Sequence, residues 1–97
     1  MDKKIYLNLL YDYYKDLLTD KQRLYFEDYY CNDLSLSEIA ENESVSRNAV
    51  HGQLKIIEER LEELEKALGL LKKREYILKL VENKLDNKTF EKIDNIL

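Results

Sequence analysis

The stretch LSEIAENESVSRNAVHGQ, residues 36–53, decides the fold. It reads as a short helix, a tight turn and a second helix. Ile39 and Ala40 fall on the inner face of the first helix, Val45 closes the turn, and Val50 and Leu54 hold the second helix against the first. A helix-turn-helix needs a small residue such as Ala40 because the two axes cross closely there. Ser46 supplies a hydroxyl N-cap for the second helix, the element that enters the major groove in DNA-binding versions of the motif. The turn is Asn42-Glu43-Ser44. Glu43 stands where a large apolar side chain commonly packs beneath the turn, and Ser44 where glycine or asparagine would ease a left-handed backbone.

Helical signals continue on both sides of this unit. Upstream, Ile5, Leu9, Leu10, Tyr13 and Leu17 recur at helical spacing and predict a first helix over residues 3–18. Thr19 with Gln22 forms a capping-box pattern that opens a second helix over 20–31, with Leu24, Tyr25 or Phe26, and Tyr29 inward. Ser35 with Glu38 repeats the pattern ahead of the third helix. Downstream, the fourth helix runs from after Ser46 to Leu68, where Gly69 is a C-terminal stop. A fifth helix is expected over 71–84 with Tyr76, Leu80 and Val81 inward, and a last one over 89–96. The expectation is therefore an all-α, helix-turn-helix bundle of five to six helices with a long fourth helix. Residues 1–69 make the helix-turn-helix domain and residues 70–97 a helical extension on the same core.

Composition agrees. The 97-residue chain has no proline and two glycines, which suits helices throughout. A single cysteine, Cys31, and a single histidine, His51, provide neither a disulfide nor a structural zinc site, and Cys31 reads as a partly buried thiol in a reducing cytosol. Carboxylates and tyrosines interrupt every apolar run at the start, so neither a signal peptide nor a membrane insertion is expected, and a cytoplasmic location follows. There is no glycine-rich phosphate loop and no Ser/His/Asp set. The chain reads as no enzyme and as needing no cofactor.

Charge is unevenly spread. The net charge of −4 divides into −2 over residues 1–33, −4 over 34–69 and +2 over 70–97. A dedicated DNA binder carries its basic footprint over the reading helix, whereas here that third is the most acidic. The candidate nucleic-acid contacts are Ser46, Arg47, Asn48, His51 and Lys55, with Gly52 allowing close backbone approach. Arg47 and Lys55 suit phosphates or a guanine edge, and Asn48 suits adenine. The alternative is a solvated helix face. Eight tyrosines, seven of them within the first 30 residues, serve either as packing groups or as platforms for unpaired bases; packing is the preferred reading.

Leu54, Ile57, Leu61, Leu64, Leu68 and Leu71 fall at alternating spacings of 3 and 4. That is a coiled-coil seam, which either pairs with a second copy or is covered by the chain's own first or fifth helix. Its regularity favours a homodimer.

Residues 8–50 contain Leu17-Leu18-Thr19, Lys21-Gln22-Arg23, Tyr29-Tyr30, Leu36-Ser37, Glu38-Ile39-Ala40 and Val45-Ser46-Arg47. This combination resembles the YlxM family of small bacterial helix-turn-helix proteins. The resemblance implies a fold like region 4 of sigma factors, with a winged-helix-like DNA-binding character. It also implies a regulatory or accessory role in the signal recognition particle pathway. The partners so implied are DNA or the particle's RNA, and the particle's protein or its receptor. The chain departs from the family pattern after Val50, where His51-Gly52-Gln53 and Lys55-Ile56 replace an aromatic residue and a basic pair. The leading reading is a non-enzymatic regulatory or accessory protein of that pathway; the rival, toward which the charge over the reading helix leans, is a protein-interaction module that has lost nucleic-acid binding.

Overall fold

Helix start signals in the sequence become hydrogen bonds in the computed structural model, which describes residues 2–97. The helices are α1 (Lys3–Tyr14), α2 (Asp20–Phe26), α3 (Leu36–Glu43), α4 (Arg47–Leu68), α5 (Leu70–Val81) and α6 (Asn87–Ile96). Thr19 and Gln22 exchange both bonds of a capping box, as do Ser35 and Glu38. Asp2 and Asp86 cap α1 and α6 through the amides of Lys4 and Thr89. Two tighter or wider stretches complete the chain: a 3₁₀ turn at Lys15–Leu17 and a π-helical continuation of α2 at Glu27–Cys31. The described residues contain no strand, so no β-hairpin wing accompanies the motif.

The core is one cluster built around α4. Val50, Leu54, Ile57, Leu61 and Leu64 are all buried, against Leu7, Leu10, Tyr11 and Tyr14 of α1, Tyr25 and Phe26 of α2, and Ile39 and Ala40 of α3. Each such aliphatic side chain contributes ~1.5–3 kcal/mol relative to exposure, so this stripe dominates the stability of the domain. The expected dimer seam is corrected here. Four of its five predicted members, Leu54, Ile57, Leu61 and Leu64, are covered by the chain's own helices, and only Leu68 remains exposed. Leu71, the sixth aliphatic of the repeat, closes the core from α5.

Two inner faces also differ from the sequence reading. In α1 the buried residues are Leu7, Leu10, Tyr11 and Tyr14, while Ile5 and Leu17 lie in solvent. The stripe is rotated because Tyr11 and Tyr14 are core residues, and because the 3₁₀ turn carries Leu17 outward and Leu18 inward. Leu24 of α2 is exposed, and Tyr25 and Phe26 are both buried. In α5 only Leu71 is fully buried; Tyr76 and Leu80 face solvent and Val81 is half-buried. Cys31 is exposed rather than tucked in.

Tyrosine packing explains how polar rings enter this core. The Tyr11 and Phe26 rings stack at 4.2 Å, and Phe26 meets Tyr30 at 4.6 Å. Two of the phenol heads are bonded to α4 carboxylates, whereas the buried Tyr11 hydroxyl has no hydrogen-bond partner among the described residues. Tyr14 donates to Glu65 Oε1 at 2.7 Å, and Tyr30 donates to Glu58 Oε1 at 2.7 Å. Glu65 in turn accepts the Leu71 and Lys72 amides, each at 3.1 Å, and the Tyr14 hydroxyl accepts the Leu70 amide at 3.1 Å. The N-terminus of α5 follows Gly69, which has no side chain to cap it. Glu65 and Tyr14 perform that service from two other helices. The Tyr13 hydroxyl donates to the Leu97 carbonyl at 2.7 Å and Arg74 pairs with Asp94, which together tie α6 back to α1 and α5.

Four outcomes follow from this structure. Replacing Leu61 and Leu64 together by Lys should unfold the chain, read as loss of the helical circular dichroism signal, rather than release a folded monomer. Ser44 has φ 55°, so Ser44→Gly should raise stability by a few tenths to ~1 kcal/mol by removing the Cβ penalty, read as a higher thermal midpoint. At high pH the tyrosines should unfold the domain. Burial first, then the bond to Glu65, pushes the Tyr14 pKa up to about 12, and burial raises Tyr11 and Tyr30 as well. An unfolded phenol ionises near ~10, so the stability these groups provide is intact below that pH and is lost as pH rises through the folded values. Tyrosinate absorbance and loss of helicity should therefore rise together above pH ~10. Tyr14→Phe should cost about 1–3 kcal/mol at neutral pH, measured by denaturant melts.

Candidate nucleic-acid interface

The turn between α3 and α4 sets the geometry of the motif. The Val45 amide donates to the Ala40 carbonyl at 3.0 Å and the Ser44 amide to the Glu41 carbonyl at 3.3 Å. With Ser44 left-handed, this is a Schellman ending, and it turns the chain sharply enough to start α4 two residues later. Val45, expected to close the turn, is 39% exposed, so Ile39, Ala40 and Val50 make the seal beneath it. Glu43 is half-buried and takes part in no ion pair among the described residues.

Each predicted contact residue lies on the exposed side of the first turns of α4. The Ser46 hydroxyl accepts the Ala49 amide at 3.1 Å, so it works as the helix cap while remaining exposed. Arg47, Asn48, His51 and Lys55 are exposed, and none makes a side-chain hydrogen bond or ion pair among the described residues. Arg47, His51 and Lys55 stand at successive four-residue steps and share one face. A Cβ on Gly52 would meet nothing within 4 Å, so the protein's own packing does not require glycine there. The exposed amides and the helix dipole give the same end of α4 a positive character.

The positive stretch is short. From Arg47 to Lys55 it spans about 13 Å of helix, after which the exposed face carries Glu59, Glu62 and Glu63. Glu58 is partly neutralised by Lys3 at 3.8 Å in addition to accepting the Tyr30 hydroxyl. Tertiary structure adds residues that sequence spacing does not bring to the motif. Lys3 lines a depression with His51, Lys55, Glu58, Glu59 and Glu62 on one flank of α4. On the other flank Lys21, Gln22 and Tyr25 line a second depression with Val45, Ala49 and Gln53. These residues come from α1 and α2, tens of positions away, and no local pattern marks them. Lys72 and Lys73 are exposed on α5, while Arg74 is committed to Asp94.

No helix among the described residues is long and apolar enough to cross a membrane, and no cluster of His, Cys, Asp or Glu among them is arranged to hold a metal.

Comparison with known proteins agrees with this geometry. A family profile described as "Putative helix-turn-helix protein, YlxM / p13 like" matches residues 1–96. A protein of Listeria monocytogenes serotype 4b is 47% identical over 87 residues, covering 87% of this chain and 79% of that one. A Caldanaerobacter subterraneus relative is 49% identical over 81 residues, covering 84% and 69% of the two chains. A Thermoanaerobacter relative is 49% identical over 85 residues, covering 88% and 69%. All three carry the same family designation, UPF0122. With its capped, Schellman-turned α3–α4 unit and a match over nearly its whole length, this chain belongs to the UPF0122 family of YlxM/p13-like helix-turn-helix proteins.

Proposed function

We propose that this protein is a non-enzymatic regulatory or accessory factor that engages a nucleic-acid duplex end-on, through the N-terminal turns of α4. The observation that carries the reading is the unpaired, exposed set Arg47, Asn48, His51 and Lys55 on a helix whose opposite face is locked in the core. The acidic face beyond Lys55 would meet phosphates if α4 lay along a groove, so only its first turns enter. A B-form major groove accepts a helix, whereas the A-form major groove is too deep and narrow, so DNA is the favoured partner over a regular RNA duplex. The resemblance to YlxM proteins supports a role in the signal recognition particle pathway. The particle's RNA, its protein or its receptor are then the further candidate partners.

The second reading, a protein-interaction module without nucleic-acid binding, is favoured by the exposed Glu59, Glu62 and Glu63 on the same helix. Equilibrium binding to DNA duplexes and to the cell's own signal recognition particle RNA, over a range of salt, separates the readings. Arg47 and Lys55 supply two phosphate contacts per chain, for a slope of log K against log salt of about −2, or about −4 for two chains on one duplex. Arg47→Ala with Lys55→Ala should weaken binding about tenfold or more. Unchanged binding would move the contact elsewhere, with Lys72→Ala and Lys73→Ala as the next variants. No binding to either nucleic acid by the native protein would favour the interaction module.

A further inference from the structure

Helix α5 buries one edge of a broad apolar arc. Leu71 is in the chain's own core, only 2% exposed, and Leu78 and Val81 are half-buried. The rest of the arc presents Leu70, Tyr76, Ile77 and Leu80, at 40, 65, 37 and 51% exposure. A contiguous exposed apolar face of this kind marks an interaction surface. Lysines lie within and beside it. Lys72, Lys73 and Lys79 are exposed and take part in no ion pair among the described residues.

The same chain carries a face of complementary character. On the solvent side of α4, Glu59 and Glu63 share a stripe with Ile56, which is 51% exposed, and Glu62 lies beside them. Glu59 and Glu62 have no cationic partner among the described residues, and Glu63 is only 3.9 Å from Arg60 at the surface.

We propose that the outer face of α5 is a docking surface for a second copy of this chain, seated on the acidic outer face of the partner's α4. Because each copy owns both faces, a two-fold axis makes the contact twice, which is the closed, isologous arrangement of most homodimers. Ile56 of one copy meets the apolar stripe of the other, and the lysines at its edges meet Glu59 and Glu62. The dimer therefore uses none of the buried leucines of α4. Arg47, His51 and Lys55 are not among the paired residues, but Glu59 and Glu62 line one depression with His51 and Lys55, so the oligomeric state is measured in the absence of nucleic acid to keep the two readings separate.

Charge exchange tests it on residues whose side chains play no part in folding. The native protein should sediment as a dimer at tens of micromolar in low salt, weakening as salt shortens the Debye length from ~10 Å at 0.1 M to ~3 Å at 1 M. Lys72→Glu with Lys73→Glu should give a folded monomer, because like charges then face each other at both contacts. Glu59→Lys with Glu62→Lys should do the same. Mixing the two variants should restore a dimer, since both contacts in the mixed pair are again opposite in sign. Circular dichroism confirms that each variant is folded. A native protein that sediments as a monomer, variants that dimerise alone, or a mixture that stays monomeric would each overturn the proposal. Capture of an acidic peptide by a monomeric native chain would assign the α5 face to another protein instead.

Discussion

Everything in this fold depends on one apolar stripe along α4. Val50, Leu54, Ile57, Leu61 and Leu64 face inward, and α1, α2 and α3 each contribute residues that bury them. Because α4 is also the second helix of the helix-turn-helix, the orientation of its outer face follows from how its inner face packs. Any change that rotates the stripe also rotates Arg47, His51 and Lys55. Packing and recognition are thus opposite sides of a single rigid element, and a 22-residue helix held along most of its length has little freedom to re-aim its first turns.

The carboxylates of α4 divide into two groups with different work. Glu58 and Glu65 accept phenol hydrogens from Tyr30 and Tyr14, and Glu65 also caps α5. These two act inside the architecture and let the rings of Tyr14 and Tyr30 enter a small core with their hydroxyls paired, while the Tyr11 hydroxyl is buried without a partner among the described residues. Glu59, Glu62 and Glu63 stay in solvent and set the sign of the field beside the recognition turns. Glu58 and Glu65 keep their charge while holding tyrosines, but they are half-buried, so the exposed acidity nearest the first turns of α4 is that of Glu59, Glu62 and Glu63. What remains exposed limits how much of α4 a phosphate backbone can approach.

Local chemistry was legible in the sequence wherever partners lie within a few residues. The Thr19–Gln22 and Ser35–Glu38 boxes, the Ser46 cap, the left-handed Ser44 and the Gly69 stop all stand where spacing placed them. The exposure of Arg47, Asn48, His51 and Lys55, the proposed contacts, was likewise legible, because it follows once Val50 and Leu54 are known to face inward. The α1 face was misread for a physical reason. Two overlapping stripes, one through Leu9, Leu10 and Tyr13 and one through Leu7, Leu10, Tyr11 and Tyr14, are both at helical spacing, and distant partners choose between them: Tyr14 is buried where Glu65 accepts its hydroxyl 51 positions away.

By itself, then, the sequence determined the all-helical class, the starts of α2, α3 and α4 and the helix-turn-helix, since propensity, capping and turn chemistry act over one or two helical turns. The 3₁₀ and π-helical ends of the first two helices and the end of α5 at Val81 were not read from it. Which helices cover the Leu54-to-Leu64 stripe was decided only by tertiary structure. A heptad-like repeat buries equally well against a second copy or against α1 of its own chain, and periodicity cannot tell the two apart. The same holds for Lys3 and Lys21, which reach the flanks of α4 only when distant helices pack. It holds again for α5, whose first amides are held by Glu65 and Tyr14 from two other helices.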